Sequence, residues 1–186
     1  MKKIKLAIAI PNSGIIKAQT VSSLLGLVKN FKCEYYTLLQ EGSILHAVRE
    51  NLVKKALELK CTHLLFIDSD MVFEKDAFER LLKRKKDIVG VTYNTRKYPS
   101  QKIQWKAIIK PKGDFYEVEA VPTGFMLIDL KVFKGLPHPW FFWEVDNAGQ
   151  TITGEDYWFC REARMRGYEV WVDLSLPIKH IGDYAY

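Results

Sequence analysis

The segment His63-Leu64-Leu65-Phe66-Ile67 constrains the fold more than any other stretch of the chain. It is short and apolar in its last four residues without alternation, and it stops abruptly at Asp68-Ser69-Asp70. Such a run suits a strand covered on both faces, and a sheet covered on both faces needs helices on each side. The flanking sequence supplies them. Residues 4–10 read as a strand, 17–29 as a helix, and 34–39 as a second strand. Ser43 is placed to cap a following helix, in which Ile44, Leu45, Val48, Leu52, Val53 and Ala56 recur at the spacing of one buried face. After the acidic triplet, residues 75–85 read as a helix and 87–92 as a strand. Parallel neighbours need crossover connections, so this alternation predicts an α/β fold with a mainly parallel central sheet flanked by helices.

The pattern changes after Tyr93. Residues 103–109 and 115–121 flank Pro111-Lys112-Gly113-Asp114 as the arms of a hairpin flank its turn. A strand follows at 123–128, a long aromatic loop at 136–150, a helix at 155–166, a strand at 168–172, and a tail through Lys179-His180-Ile181-Gly182. With 186 residues and 48% apolar content, the chain suits one domain with one core. Its two halves, 1–92 and 93–186, differ in patterning but show no linker between them.

Composition narrows the classes. The apolar run at the N-terminus ends after five residues at Pro11, short of a secretory segment, and no stretch approaches the roughly 18 apolar residues of a membrane span. Cys33, Cys61 and Cys160 are odd in number and widely spaced, which fits reduced thiols and a cytoplasmic location. The net charge of +6 raises polyanion binding, yet Lys83-Arg84-Lys85-Lys86 lies where a helix C-terminus favours cations without any partner.

Three groups of residues carry potential chemistry. Ligands of doubly wound sheets bind beyond the C-terminal strand ends, which is where Pro11-Asn12 and Asp68-Ser69-Asp70 fall. If the strand continued, Asp68 and Asp70 would point to the same side and hold a divalent cation. Aspartates also end strands for local hydrogen-bonding reasons, so the triplet is ambiguous by itself. In Thr153-Gly154-Glu155-Asp156 two acids open a helix. Thr153 as N-cap and the helix dipole explain them locally, whereas a half-buried carboxylate there would serve as a general base. His180 follows an apolar strand, where a lone histidine is more often structural than a ligand; with a carboxylate and diphosphate oxygens it would complete a site for Mn²⁺, which accepts nitrogen more readily than Mg²⁺.

Taken in order, these motifs resemble the GT-A glycosyltransferases, in particular family 2-like enzymes, from Ile4 to Gly182. Pro11-Asn12 resembles the family's nucleotide-contacting loop, and Ala47-Val48-Arg49-Glu50-Asn51 its A-R-N-x helix segment with an insertion. Leu65-Phe66-Ile67-Asp68-Ser69-Asp70 is similar to its D-x-D strand. Val121 to Leu127 resembles its acceptor-side strand, and Pro139-Trp140-Phe141 the loop before its acidic dyad. Glu155-Asp156 is similar to the dyad and His180-Ile181-Gly182 to the terminal metal-binding histidine. The resemblance implies a GT-A, Rossmann-like fold with a nucleotide-sugar-binding half over 1–92 and an acceptor and catalytic half over 93–186. It implies transfer from a nucleoside-diphosphate sugar to a carbohydrate or other hydroxyl-bearing acceptor, with inversion, using Mn²⁺ or Mg²⁺. Asp70, Asp68 and His180 would hold the metal, and Pro11, Asn12, Arg49, Asp68, Ser69 and Asp70 the donor. Asp156 would be the base with Glu155 beside it, and Gly124 and Trp140 would line the acceptor.

Two alternatives stand beside this reading. A sugar nucleotidyltransferase shares a related core, but its glycine-rich, basic loop after the first strand is not found in Pro11-Asn12-Ser13-Gly14-Ile15-Ile16-Lys17. A non-catalytic carbohydrate- or nucleic-acid-binding module would use Trp105, Trp140 and Trp143 for stacking.

Overall fold

The computed structural model describes residues 3–95, 106–108 and 113–182. Strand and helix alternate through the first half: β1 (Lys5–Asn12), α1 (Ala18–Val28), β2 (Glu34–Glu41), α2 (Leu45–Glu58) and β3 (His63–Ile67), then β4 (Met71–Val72), α3 (Ala77–Lys83) and β5 (Ile88–Val91). The second half contributes β6 (Phe115–Glu117), β7 (Phe125–Asp129), α4 (Lys131–Gly135), β8 (Glu144–Val145), β9 (Thr151–Thr153), α5 (Glu155–Met165), β10 (Val170–Asp173) and β11 (Lys179–His180).

Among the described residues, seven strands form the central sheet in the order β2-β1-β3-β7-β5-β10-β6. β1 pairs in parallel with β2 and β3, and β10 in parallel with β5. β7 runs antiparallel between β3 and β5, and β6 antiparallel along β10. Five of the seven strands therefore share one direction, in agreement with the mixed, mainly parallel α/β architecture expected. The insertion of β7 means that the two halves of the chain share one sheet. Local alternation could not reveal it, because pairing between strands distant in the chain leaves no mark on either partner's own periodicity.

Both faces of the sheet are covered, as the β3 run requires. Leu6, Ile8 and Ile10 of β1 join Leu65 and Ile67 of β3 in one core, against Leu27 of α1 and Phe78 and Leu81 of α3. Ala7 and Ala9 face the other way with Leu64 and Phe66, against Leu52, Val53 and Ala56 of α2. Small residues at 7 and 9 let α2 approach closely, and that second core extends through Phe133, Phe141 and Phe159. Each fully buried phenylalanine contributes about 1.5–3 kcal/mol of burial free energy.

Several boundaries differ from expectation. β1 runs on through Pro11 and Asn12, because these residues continue the pairing with Gln40 and Glu41 of β2. Ser43 does not cap α2: the N-cap is Ile44, without a side-chain hydrogen bond, and its side chain is exposed rather than part of the buried face. Thr153 ends β9 instead of capping α5, whose N-cap is Gly154. The expected loop at 136–150 contains β8, which pairs antiparallel with β9 just beyond it. Of the hairpin expected from residues 103–121, the first arm, with Trp105, and the turn lie largely outside the described residues, and the described part includes an antiparallel bridge between Ala107 and Val118. The basic cluster after α3 is drawn into ion pairs, Arg84 with Asp173 at 2.6 Å and Lys86 with Glu169 at 2.8 Å. These contacts account for two of its four charges structurally.

Candidate active site

The candidate site is built at the C-terminal ends of β1 and β3, where the sequence reasoning placed it. β3 ends at Ile67 and the chain turns through Asp68-Ser69-Asp70 into β4. Both aspartates lie beyond the end of the strand, and each has its own partner. The Asp68 Oδ1 accepts a hydrogen bond from Arg49 Nη2 at 2.9 Å, and the Asp70 Oδ1 lies 3.3 Å from His180 Nε2. Ser69 contributes backbone: its carbonyl accepts the Lys17 amide at 2.9 Å and the Thr20 hydroxyl at 3.1 Å, fixing the start of α1 against the turn.

His180 reaches Asp70 because β11 pairs antiparallel with β4, setting His180 opposite Met71. Its other ring nitrogen, Nδ1, lies 3.2 Å from the Asn94 carbonyl. With that nitrogen as the donor to the carbonyl, Nε2 is left to bind a cation beside Asp70. Among the described residues no three His, Cys, Asp or Glu side chains converge into a self-contained metal site. Asp70 and His180 nevertheless suit a hard or borderline divalent cation that takes its remaining ligands from water and phosphate oxygens. Asp68 contributes less directly, since one of its oxygens is engaged by Arg49.

Arg49 is the centre of the second group. It is 1% exposed, its guanidinium lies over the Phe66 ring at 5.2 Å, and its Nε donates to Glu155 Oε1 at 3.3 Å. Burial works against its charge, but Asp68 and Glu155 outweigh burial and hold the guanidinium above its ordinary pKa. The pair thus ties β3 to the start of α5 through one side chain from α2. Glu155 Oε2 accepts the Trp143 indole N–H at 2.7 Å. With both oxygens occupied and the residue 6% exposed, Glu155 acts in the structure as an anchor.

Asp156, the next residue, differs. It is partly buried, and its Oδ1 accepts the Tyr157 amide at 2.8 Å. Burial, with the adjacent Glu155 carboxylate, pushes its carboxyl up to about 6. That value suits a group that must hold and release a proton near neutral pH.

Tyr93 connects the two groups. Its ring is 5.3 Å from that of His180 in an edge contact, and burial, then Asp68, drives its hydroxyl well above the ordinary pKa, with Asp156 adding to the push and Arg49 opposing it. The hydroxyl therefore stays protonated. Gly124 makes room for it: a methyl group there would lie 2.2 Å from the Tyr93 oxygen and 2.6 Å from the Met71 methyl. Gly124, expected to line an acceptor, is thus needed for this internal contact.

Other expected positions sort as follows. Pro11 is buried in β1, and the Asn12 Oδ1 accepts the Gly14 amide at 2.9 Å, closing a turn in which Gly14 has φ of 96°. Trp140, expected to line the acceptor, sits in the core. It is 5% exposed, packs on Phe133 at 5.1 Å, and donates its indole N–H to the Leu136 carbonyl. Trp143, 44% exposed and hydrogen-bonded to Glu155, stands at the outward position instead. Sequence reasoning did not single out Tyr93 or Glu50, nor give Trp143 a place in the site. Tyr93 follows an apolar strand and carries no motif, and Glu50 looks like any exposed helix glutamate until its partners are known.

No protein-family model matches this sequence, and no curated protein matches it either. Solved structures do match in fold. The chain is similar to A197 from STIV at 22% identity with a TM-score of 0.67, covering 97% of this chain and 86% of that one. It is also similar to a UDP-glucose pyrophosphorylase complexed with UDP-glucose at 7% identity and a TM-score of 0.55, covering 95% and 92% of the two chains. At these identities the shared property is the mixed α/β fold.

Proposed function

We infer that the chain is a glycosyltransferase acting on a nucleoside-diphosphate sugar. The observation that carries the reading is Asp156, a partly buried carboxyl raised to about 6, set around Tyr93 together with the Asp70–His180 pair. A base and a cation-binding pair are what transfer from a diphosphate leaving group requires. The fold shared with a protein complexed with UDP-glucose is compatible with a nucleotide sugar over these strand ends.

In this reading Asp70 and His180 hold Mn²⁺ or Mg²⁺, which when bound neutralises charge on the departing diphosphate. Arg49 fixes Asp68 through their ion pair, and its Nη1, buried without a hydrogen-bond partner among the described residues, remains as a donor for ribose or phosphate oxygen. Pro11 and Asn12 border the nucleotide. Asp156 takes the proton from the acceptor hydroxyl as that oxygen attacks the anomeric carbon, and the product has inverted configuration. Trp143, rather than Trp140, forms the acceptor wall, with its indole edge held by Glu155.

A second reading is a sugar nucleotidyltransferase, favoured by the pyrophosphorylase likeness in fold. Its disadvantage is the segment after β1, which lacks the glycine-rich basic loop that cradles a triphosphate. Thermal stabilisation by a panel of nucleoside diphosphates and their sugars, with and without Mn²⁺, separates the two readings when paired with a pyrophosphate-release assay. We expect a Mn²⁺-dependent shift with a sugar nucleotide, lost in Asp70→Asn and His180→Ala, and no pyrophosphate release. Stabilisation that is equal in Asp70→Asn would remove the metal site from the reading, and pyrophosphate release from a nucleoside triphosphate and a sugar phosphate would favour the second.

A further inference from the structure

Glu50 is a buried carboxylate on α2 with no place in the chemistry above. It is 9% exposed, and its hydrogen-bond partners among the described residues all come from residues 138–141. Oε1 accepts the backbone amides of Trp140 and of Phe141, the latter at 2.9 Å, while Oε2 lies 3.1 Å from His138 Nδ1. Two amides from consecutive residues converging on one carboxylate oxygen hold a backbone segment in place far more firmly than apolar packing alone, because each is a charge-assisted hydrogen bond. The amides also compensate the carboxylate, since an unpaired one at this depth would carry a large desolvation cost.

The clamped segment leads within two residues to Trp143, whose indole N–H is bonded to Glu155 Oε2. Glu155 is held from its other side by Arg49, the residue immediately before Glu50 on α2. One helix turn therefore grips both ends of the same assembly: Arg49 fixes the start of α5, and Glu50 fixes the loop that supplies Trp143. The geometry points to Glu50 as a positioning residue that sets Trp143 against Glu155 and, through Glu155, orients Asp156 toward the acceptor. This assignment rests on the glycosyltransferase reading for its catalytic consequence, but its structural content can be tested independently.

The test is Glu50→Gln, which keeps size and one acceptor oxygen while removing the charge. Amide hydrogen exchange and the Trp143 indole N–H resonance are read on the full chain, together with turnover of UDP-glucose or of the sugar nucleotide selected by the stabilisation panel. The expected result is at least tenfold loss of protection at the Trp140 and Phe141 amides and a displaced Trp143 indole resonance. Turnover falls at least tenfold, while the Mn²⁺-dependent stabilisation by the sugar nucleotide, which reports Asp70 and His180, is unchanged. A global unfolding effect would lower donor binding and turnover together, so this split distinguishes positioning from simple loss of fold. If Glu50→Gln does not fold, Glu50→Asp, which keeps the charge but withdraws it by one methylene, is read in the same way. Wild-type protection and indole resonance in a folded variant would overturn the clamp, and a moved resonance with unchanged turnover would overturn its catalytic role. Absence of sugar-nucleotide binding in the wild-type protein would instead refute the functional reading, leaving the exchange result to decide the clamp.

Discussion

Replacing Asp156 by asparagine should make the protein more stable at neutral pH while removing its activity. The carboxyl is raised from its ordinary 3.8 to about 6, chiefly by burial. The native state therefore binds this proton more tightly than the unfolded chain does. Stability attached to the group is fully present below pH 3.8 and is lost as the pH rises through about 6. A tenfold change in proton affinity corresponds to about 1.4 kcal/mol, which sets a ceiling of about 3 kcal/mol above pH 7. The side chain keeps some contact with water, and screening reduces the expected penalty to about 1–2 kcal/mol. Asparagine does not incur it, and its side-chain oxygen can still accept the Tyr157 amide that Asp156 binds at 2.8 Å. Paired denaturant unfolding of both proteins from about pH 4.5 to 7.5 should therefore show a small difference at the acid end and a gain of about 1–2 kcal/mol for Asp156→Asn at the neutral end. In the wild-type protein, kcat/KM should rise through a limb near pH 6, as the base loses its proton. A pH-independent difference, or an asparagine variant less stable than wild type at the neutral end, would show that the carboxyl is not raised and would refute its selection as base on electrostatic grounds.

Two further substitutions probe the support of the site. Arg49→Met would strand the carboxylates of Asp68 and Glu155, so unfolding free energy measured by denaturant should fall by about 3–5 kcal/mol, the range for breaking a buried ion pair from one side. Gly124→Ala would push a methyl group into the Tyr93 hydroxyl, and a loss of about 1–3 kcal/mol in the same assay is expected. Double substitution with Tyr93→Phe should recover part of that loss, and no recovery would show that the Tyr93 oxygen is not the obstacle.

The sequence by itself determined the alternation of the main strands and helices in the first half of the chain, and the strand ends at which the candidate site is sought. The apolar run of β3 is legible because burial on both faces demands an unbroken apolar stretch, and α2 because its buried face repeats at helical spacing. Asp68, Asp70, Asp156 and His180 were likewise marked by residue type and position. What only the tertiary structure decided is which of them meet. Asp68 meets Arg49 and Asp70 meets His180 in a turn beyond Ile67, where the alternation of a strand no longer applies. His180 finds Asp70 through the pairing of β11 with β4, elements from different halves of the chain. Arg49 lies on the apolar face of α2, at helical spacing from Leu52, Val53 and Ala56, and Glu50 lies beside that face; both charges are buried with partners from residues 68, 138–141 and 155 that compensate them. Compensation of a buried charge is a property of distant residues brought together, and for that reason the division of the acidic dyad, Glu155 anchored and Asp156 left as the raised carboxyl, appears only in the folded chain.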